Sequence, residues 1–237
     1  MKSQQLLSRI RQAVQDFDMI KEGDKIAVGI SGGKDSLCLL YGLAKLREFY
    51  PVKFDIVGVT VNMGFKNVDF DSVKNYCNSL NVEYHVIDTT ISDIIFNIRK
   101  ESNPCSLCAK LRKGAINDYL VKIGYNKLAY AHHFDDFIET FMMSLIYEGR
   151  VNTFSPVTFL DKTEITVIRP LLYVTEAEVK GFCNKYEIPV LKSACPADGF
   201  TKREYVKNLI KDINKDNPGV KKRLFTAAVN EYRKGLN

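Results

Sequence analysis

The sequence predicts an α/β fold, an open, mostly parallel sheet with helices on both faces. Three observations carry this. Short apolar segments alternate with helix-length ones, the first apolar segment runs directly into a Gly-Gly loop and a helix, and no internal repeat interrupts the order. Met1 to Ile20 mixes Lys2, Arg9 and Arg11 with apolar residues and reads as an amphipathic helix, which Glu22-Gly23-Asp24 breaks. Ile26 to Ile30 is an apolar strand, and the helix from Ser36 sets Leu39, Leu43 and Leu46 on one face before ending near Tyr50-Pro51. Phe54 to Val61 is almost continuously apolar, as a strand buried on both faces of a parallel sheet should be. Asn62, Met63 and Gly64 follow at its carboxyl end.

A helix around Val68 to Leu80, a strand at Glu83–Asp88 and a helix-like stretch from Ser92 to Lys100 come next. Asn103-Pro104 reads as a break, with Cys105 and Cys108 just past it and a basic helix through Lys110, Arg112 and Lys113 toward Ile123. Lys127 to Ala131 is a fourth strand ending in His132-His133-Phe134-Asp135-Asp136, followed by an apolar helix, Phe137 to Tyr147. Ile165 to Leu171 is a fifth strand, and Thr175 with Glu178 forms a capping box for another helix. After the short apolar segment Ile188–Lys192 and a breaker-rich loop, 193–199, two helices, Lys202 to Ile213 and Pro218 to Tyr232, close the chain. The organisation expected is a helical segment 1–22, a main α/β domain 23–192 and a basic helical segment 193–237.

The 46% hydrophobic and 26% charged composition over 237 residues supports a full core and excludes a disordered chain. No stretch is apolar for long enough to span a bilayer, so the expectation is a cytoplasmic protein with no membrane partner. Six cysteines, one pair of them Cys-x-x-Cys, suit metal or redox chemistry better than a disulfide scaffold. Thr201 to Asn237 holds ten Lys or Arg against four Asp or Glu, a surplus equal to the +6 of the whole chain, and such a tail favours a polyanion such as RNA or DNA.

In a sheet of this kind ligands bind beyond the carboxyl ends of the strands, so Ser31–Ser36, Asn62–Gly64 and His132–Asp136 should meet at one crevice. Ser31-Gly32-Gly33-Lys34-Asp35-Ser36 stands between a strand and a helix N-terminus, where unpaired N–H groups and two glycines receive an anion. Only three residues separate Gly29 from Gly33, and Asp35 replaces the Ser or Thr that a Walker A loop requires, so that motif fails. In this loop Ser31, Ser36 and the backbone of Gly32 and Gly33 would hold phosphate oxygens, with Lys34 as a point charge. Asp35 would hold Mg²⁺ or tie the loop to its helix.

Ser31 to Ser36 resembles the S-G-G-x-D-S signature of the PP-loop ATP pyrophosphatase superfamily, an adenine nucleotide alpha hydrolase-like fold whose members adenylate a substrate and release pyrophosphate. The cluster at His132–Asp136 resembles the H-H-x-D-D motif of PP-loop enzymes acting on tRNA, which implies that His132, Asp135 and Asp136 line the nucleotide crevice and support Mg²⁺ or substrate activation. Cys105 and Cys108 alone leave a redox pair, half a zinc site or a cluster site open. Cys195, in a loop before Pro196, is a third candidate ligand, while Cys38, Cys77 and Cys183 fall in helical patterns as small buried residues. Three cysteines on two loops can hold a [4Fe–4S] cluster and leave one iron free to bind sulfide.

Pro104–Gly114, the H-H-x-D-D run and Ile168-Arg169-Pro170-Leu171 bring the resemblance closer, to the TtcA family of tRNA 2-thiocytidine synthetases, over roughly Lys21 to Ala197. That resemblance implies ATP, Mg²⁺ and a [4Fe–4S] cluster on Cys105, Cys108 and Cys195, with Cys195-Pro196-Ala197-Asp198 lacking a second Cys-x-x-C pair seen elsewhere in the family. It implies phosphates on Ser31–Ser36, adenine near Met63, and a base carbonyl attacking the α-phosphate before sulfur displaces AMP. The partners expected are tRNA, gripped by Arg112, Lys113, Lys202 and Arg203, and a sulfur donor, either sulfide or a persulfide carrier such as a cysteine desulfurase. A homodimer is left open. A lysidine-synthetase-like ligase, an NAD-synthetase-like amidating enzyme and a non-enzymatic nucleotide sensor are the competing readings.

Overall fold

A computed structural model describes residues 1–65, 68–99, 104–191, 195 and 202–234. The elements run α1 (Ser3–Asp16), β1 (Asp24–Gly29), α2 (Lys34–Arg47), β2 (Phe54–Asn62), α3 (Asp71–Ser79), β3 (Glu83–Asp88) and α4 (Ile91–Asp93), which continues as a π turn, Ile94–Ile98. Then come α5 (Pro104–Ile123), β4 (Lys127–Ala129), α6 (Phe134–Met143) with a π turn at Ser144–Glu148, β5 (Val157–Leu160), β6 (Ile165–Ile168), α7 (Glu176–Lys185), α8 (Lys202–Asp216) and α9 (Val220–Lys234). The sheet order is β3-β2-β1-β4-β6-β5, parallel throughout except for β5 against β6. The chain winds outward from β1 through β2 to β3, then returns to β4 on the other side of β1. The β1/β4 junction is therefore the topological switch point, where an α/β sheet opens a crevice.

Three elements differ from expectation. Val157–Leu160 forms an antiparallel edge strand that four residues of ordinary composition do not announce. α6 begins at Phe134, three residues early, because His133 serves as its N-cap and Asp136 completes a capping box. α5 begins at Pro104, so this proline occupies the first helical turn, where its missing N–H costs nothing. Cys105 and Cys108 therefore lie on a helix at i, i+3 spacing, on neighbouring positions of one face. The expectation of three cysteines on two loops is corrected to two on a helix and one beyond α7. The ends of the expected helix at Lys100 and of the apolar segment at Lys192, and the loop 193–199 apart from Cys195, lie outside the described residues.

One core surrounds α2, whose Leu37, Leu39, Leu40, Leu43 and Leu46 are fully buried between the sheet, α1 and α7. α1 is part of that core, with Leu6, Ile10 and Ala13 buried. A Cβ at Gly42 would lie 2.2 Å from Ile10 Cδ1, so glycine lets the two helices meet closely. A second cluster joins Phe137 and Phe141 of α6 to Val206 and Ile210 of α8 and Phe225 of α9, which docks the basic C-terminal helices beside the switch point. Among the described residues no helix is long and apolar enough to cross a membrane.

A buried ion pair fixes the amino end of β1. Lys127 Nζ lies 2.6 Å from Asp24 Oδ2 and donates to Met19 O at 2.7 Å, while Asn126 Nδ2 and the Lys21 N–H donate to the same carboxylate at 2.9 and 2.6 Å. Both side chains are under 10% exposed, 8% and 6%. Removing one partner of such a pair leaves an uncompensated buried charge. Asp24→Ala is expected to cost about 3–5 kcal/mol in urea unfolding, and Asp24→Ala with Lys127→Met is expected to cost less than the single change.

Candidate active site

β1 ends at Gly29 and the chain turns through Ser31-Gly32-Gly33 into α2, whose N-cap is Gly33 and has no side-chain cap. The first-turn N–H groups of a 14-residue helix thus face the crevice unpaired, ready for an anion. Gly32 has φ +82°, and a Cβ there would sit 2.8 Å from Leu191 Cδ1. Leu191 N–H donates to Gly32 O at 2.9 Å, so Leu191 lies across the loop. Ser36 Oγ donates to Gly33 O at 2.9 Å and accepts from Ser31 N–H at 3.2 Å, which braces the turn from inside.

Lys34 Nζ lies 3.1 Å from Asp35 Oδ2 and 3.4 Å from Glu176 Oε1. Burial pulls its pKa down, but the two carboxylates outweigh it and the pKa is raised, which keeps the ammonium charged. Asp35 Oδ1 is buried and accepts no hydrogen bond, and His133 Nε2 stands 3.8 Å away. An anionic oxygen with no donor fits the role of a cation ligand, as expected for Mg²⁺.

The other acids of the motif are engaged. Asp135 Oδ2 accepts from Glu176 N–H at 2.8 Å and Oδ1 from Lys221 Nζ at 2.7 Å, so this buried residue fastens α7 and α9 and lies off both cavity walls. Asp136 Oδ2 accepts from His133 N–H at 2.9 Å and Oδ1 from Arg203 Nη1 at 2.8 Å, yet Asp136 still lines the crevice. His132 is pressed between Phe154, with ring centroids 4.9 Å apart, and Tyr130, at 5.8 Å. Burial, aided by Arg169, lowers its pKa to about 4, so it is neutral at pH 7, and its Nδ1 has no partner.

Two adjoining cavities occupy the carboxyl edge of the sheet, of about 330 and 460 Å³. The first is walled by Ser31, Gly33, Thr60, Asn62, Met63, Leu191 and all three candidate cysteines, Cys105, Cys108 and Cys195. The second holds Ser31, Asp35, Ser36, Tyr130, His132, Asp136 and Lys113. Ser31, Val61 and Arg112 border both, so the three loops expected to converge do so. Burial pushes the Cys108 thiol up and the Arg112 guanidinium beside it pulls it back, with Cys195 and Cys105 near enough to add to the rise. Among the described residues no three His, Cys, Asp or Glu side chains are gathered tightly enough to hold a metal ion. The cysteines share a cavity wall without closing into a ligand set. Cys38, Cys77 and Cys183 are buried, as expected of structural thiols.

The expected RNA contacts divide. Arg112 and Lys113 are exposed on the rim, and Lys202 is exposed with its ammonium 4.9 Å from the Tyr147 ring centroid. Arg203 turns inward to Asp136 and Thr140 Oγ1. Sequence reasoning missed Glu176, Lys207 and Leu191. A first-turn glutamate, a tail lysine and an apolar residue have no distinguishing composition.

A sequence profile of the PP-loop domain matches residues 2–213. The tRNA-cytidine(32) 2-sulfurtransferase of Geobacter sulfurreducens is 39% identical over 224 residues, covering 93% of this chain and 87% of that one. Its counterpart from Citrifermentans bemidjiense is 37% identical over 232 residues, covering 97% and 91%. This chain belongs to that PP-loop family. Among solved structures, the U34-tRNA thiolase NcsA from Methanococcus maripaludis with its [4Fe-4S] cluster is similar, with a TM-score of 0.80 and 25% identity over 96% of this chain and 78% of that one.

Glu139, also outside the sequence reading, is buried on α6 with Arg203 Nη1 no closer than 3.8 Å. Burial, then the neighbouring Asp136, raises its pKa to about 7. The folded protein therefore keeps a proton that the unfolded chain loses near pH 4.5, and stability falls as pH rises from there to about 7. Glu139→Gln is expected to remove that decline, making the variant more stable than wild type by about 3 kcal/mol at pH 8 and equal to it below pH 4, as measured by urea titration across pH.

Proposed function

We propose that the protein is an ATP-dependent tRNA thiolation enzyme that adenylates a cytidine at C2, releases pyrophosphate and replaces the oxygen by sulfur. The observation that carries this is the common wall: the phosphate loop at Ser31 and Gly33 and the thiols of Cys105, Cys108 and Cys195 line one cavity. The relatives are named for cytidine 32 of tRNA, which supports that nucleotide as the target. It also favours thiolation over the ligase, amidating and sensor readings.

In this reading the triphosphate lies on the open N–H groups of α2, with Ser31 and Lys34 as donors, Ser36 bracing the turn beneath, and adenine toward Met63. The C2 oxygen of the base attacks the α-phosphorus and the bond to the bridging oxygen of pyrophosphate breaks. Lys34 and a Mg²⁺ held at Asp35 Oδ1 would stabilise the charge that develops on the leaving group. Hydrosulfide then adds at C2 and AMP departs with the former base oxygen, so each turnover consumes one ATP and one sulfur. Neutral His132 lines the crevice through its ring and would pack beside the base. Asp136, held by Arg203 and His133 N–H, shapes the loop that carries it.

Cys105, Cys108 and Cys195 would hold a [4Fe–4S] cluster, as the solved thiolase holds one. The three thiols share one cavity wall and would have to draw together around the cluster; when bound on three thiolates such a cluster supplies an iron open to a soft sulfur ligand. Burial pushes the Cys108 thiol up, and Arg112, at the cavity border beside it, offsets part of that rise. The base must leave its stack to reach this depth, which suits a tRNA loop nucleotide. Arg112, Lys113 and Lys202 are positioned to receive the backbone phosphates around it. The sulfur donor would be sulfide or a persulfide carrier, and a tRNA substrate would place the enzyme in the cytoplasm.

Anaerobic reconstitution tests this directly. Wild type is expected to bind about four iron per chain and to thiolate tRNA with ATP. Cys195→Ala is expected to lose most of the iron and all thiolation. Equal iron in both would remove Cys195 from the ligand set.

A further inference from the structure

The C-terminal helices do more than add positive charge. Lys207 of α8 places Nζ 2.7 Å from Glu176 Oε2, and Glu176 Oε1 lies 3.4 Å from Lys34 Nζ in the phosphate loop. Glu176 is itself fixed at the start of α7, where its N–H donates to Asp135 Oδ2 and the other oxygen of Asp135 takes Lys221 of α9. An ordered chain of charge thus runs from the tail to the residue expected to face the leaving phosphates.

We propose that Glu176 is a positioning residue for adenylation: it bridges Lys34 to Lys207 and so holds the Lys34 ammonium in place before ATP binds. The proposal rests on the function given above. Lys34 has a flexible four-carbon stem, and ordering it during the reaction would cost rotamer entropy. Two carboxylates, Asp35 and Glu176, restrain it in advance. Those carboxylates would repel a triphosphate if they faced one ammonium alone. Lys207 supplies the second positive charge, so the group of Lys34, Asp35, Glu176 and Lys207 is neutral as a whole.

An isolated pair of this exposure would be worth little. Its value here lies in geometry at the reacting phosphates, and that makes the kinetic signature specific. Restraint of Lys34 is needed when charge develops on pyrophosphate, whereas removing a carboxylate does not weaken ground-state binding of an anion.

The test is a double-mutant cycle on ATP- and tRNA-dependent pyrophosphate release, with melting temperatures to confirm folding. Glu176→Gln is expected to lower kcat about 10- to 100-fold with KM for ATP unchanged or lower. Lys207→Met should lower kcat less, and the double variant should be no worse than Glu176→Gln alone. A raised KM at constant kcat, or losses that multiply, would overturn the proposal. A second readout needs no turnover: trace acetylation of the nucleotide-free protein at pH 8, read by mass spectrometry. Lys34 labelling relative to exposed Lys25 should rise several-fold in Glu176→Gln, since a side chain released from the bridge stands more open to the reagent. Unchanged labelling overturns the bridge whatever the enzyme does, while increased labelling with no pyrophosphate from wild type would fault the adenylation reading instead.

Discussion

The crossing of Leu191 over Gly32 is the contact on which the site depends. Gly32 must adopt φ +82° to turn β1 into α2, and any side chain there would collide with Leu191. The Leu191 N–H to Gly32 O hydrogen bond then holds the later segment against the loop. Beside this contact stand the uncapped end of α2 and the cavity that Leu191 and Cys195 line with Cys105 and Cys108 of α5. Ser31 and Cys195, more than 150 residues apart in the chain, line one wall.

Charge around that wall is arranged in pairs that meet across elements. The carboxylates of the His132–Asp136 turn and of Glu176 each take a cation from α8 or α9: Asp135 from Lys221, Asp136 from Arg203, Glu176 from Lys207. The tail surplus visible in composition is therefore spent in two directions. Its inner face neutralises acids beside the phosphate loop, while Lys202, Lys211, Lys222 and Arg223 remain exposed on the outside. One carboxylate oxygen of the loop, Asp35 Oδ1, is left without a donor. That asymmetry separates the acid suited to a cation from those that hold the architecture.

Much of this was legible in the sequence because the determinants are local. The apolar runs of β1 and β2 report burial on both faces, and Ser31–Ser36 is contiguous. The readings that failed depended on partners far away in the chain. The cysteines were expected in a loop between Pro104 and the basic helix, yet that helix begins at Pro104 itself, a residue suited to a first helical turn, and so includes them. β5 is four residues long and exists through its pairing with β6. Asp135 and Asp136 read alike in sequence, yet one fastens helices and the other borders the crevice, a difference made by Lys221 and Glu176 elsewhere in the chain. Glu176 itself carries no mark beyond being an acid in a first helical turn, where acids are common.

The account turns on which oxygen attacks the α-phosphate. The most direct measurement is to supply tRNA carrying ¹⁸O at the C2 carbonyl of the target cytidine, with ATP and sulfide, and to analyse the products by mass spectrometry. Transfer of ¹⁸O to AMP, one atom per sulfur introduced, is the predicted result. Unlabelled AMP accompanying thiolated tRNA would contradict it, because the base oxygen would then have left by a route other than adenylation.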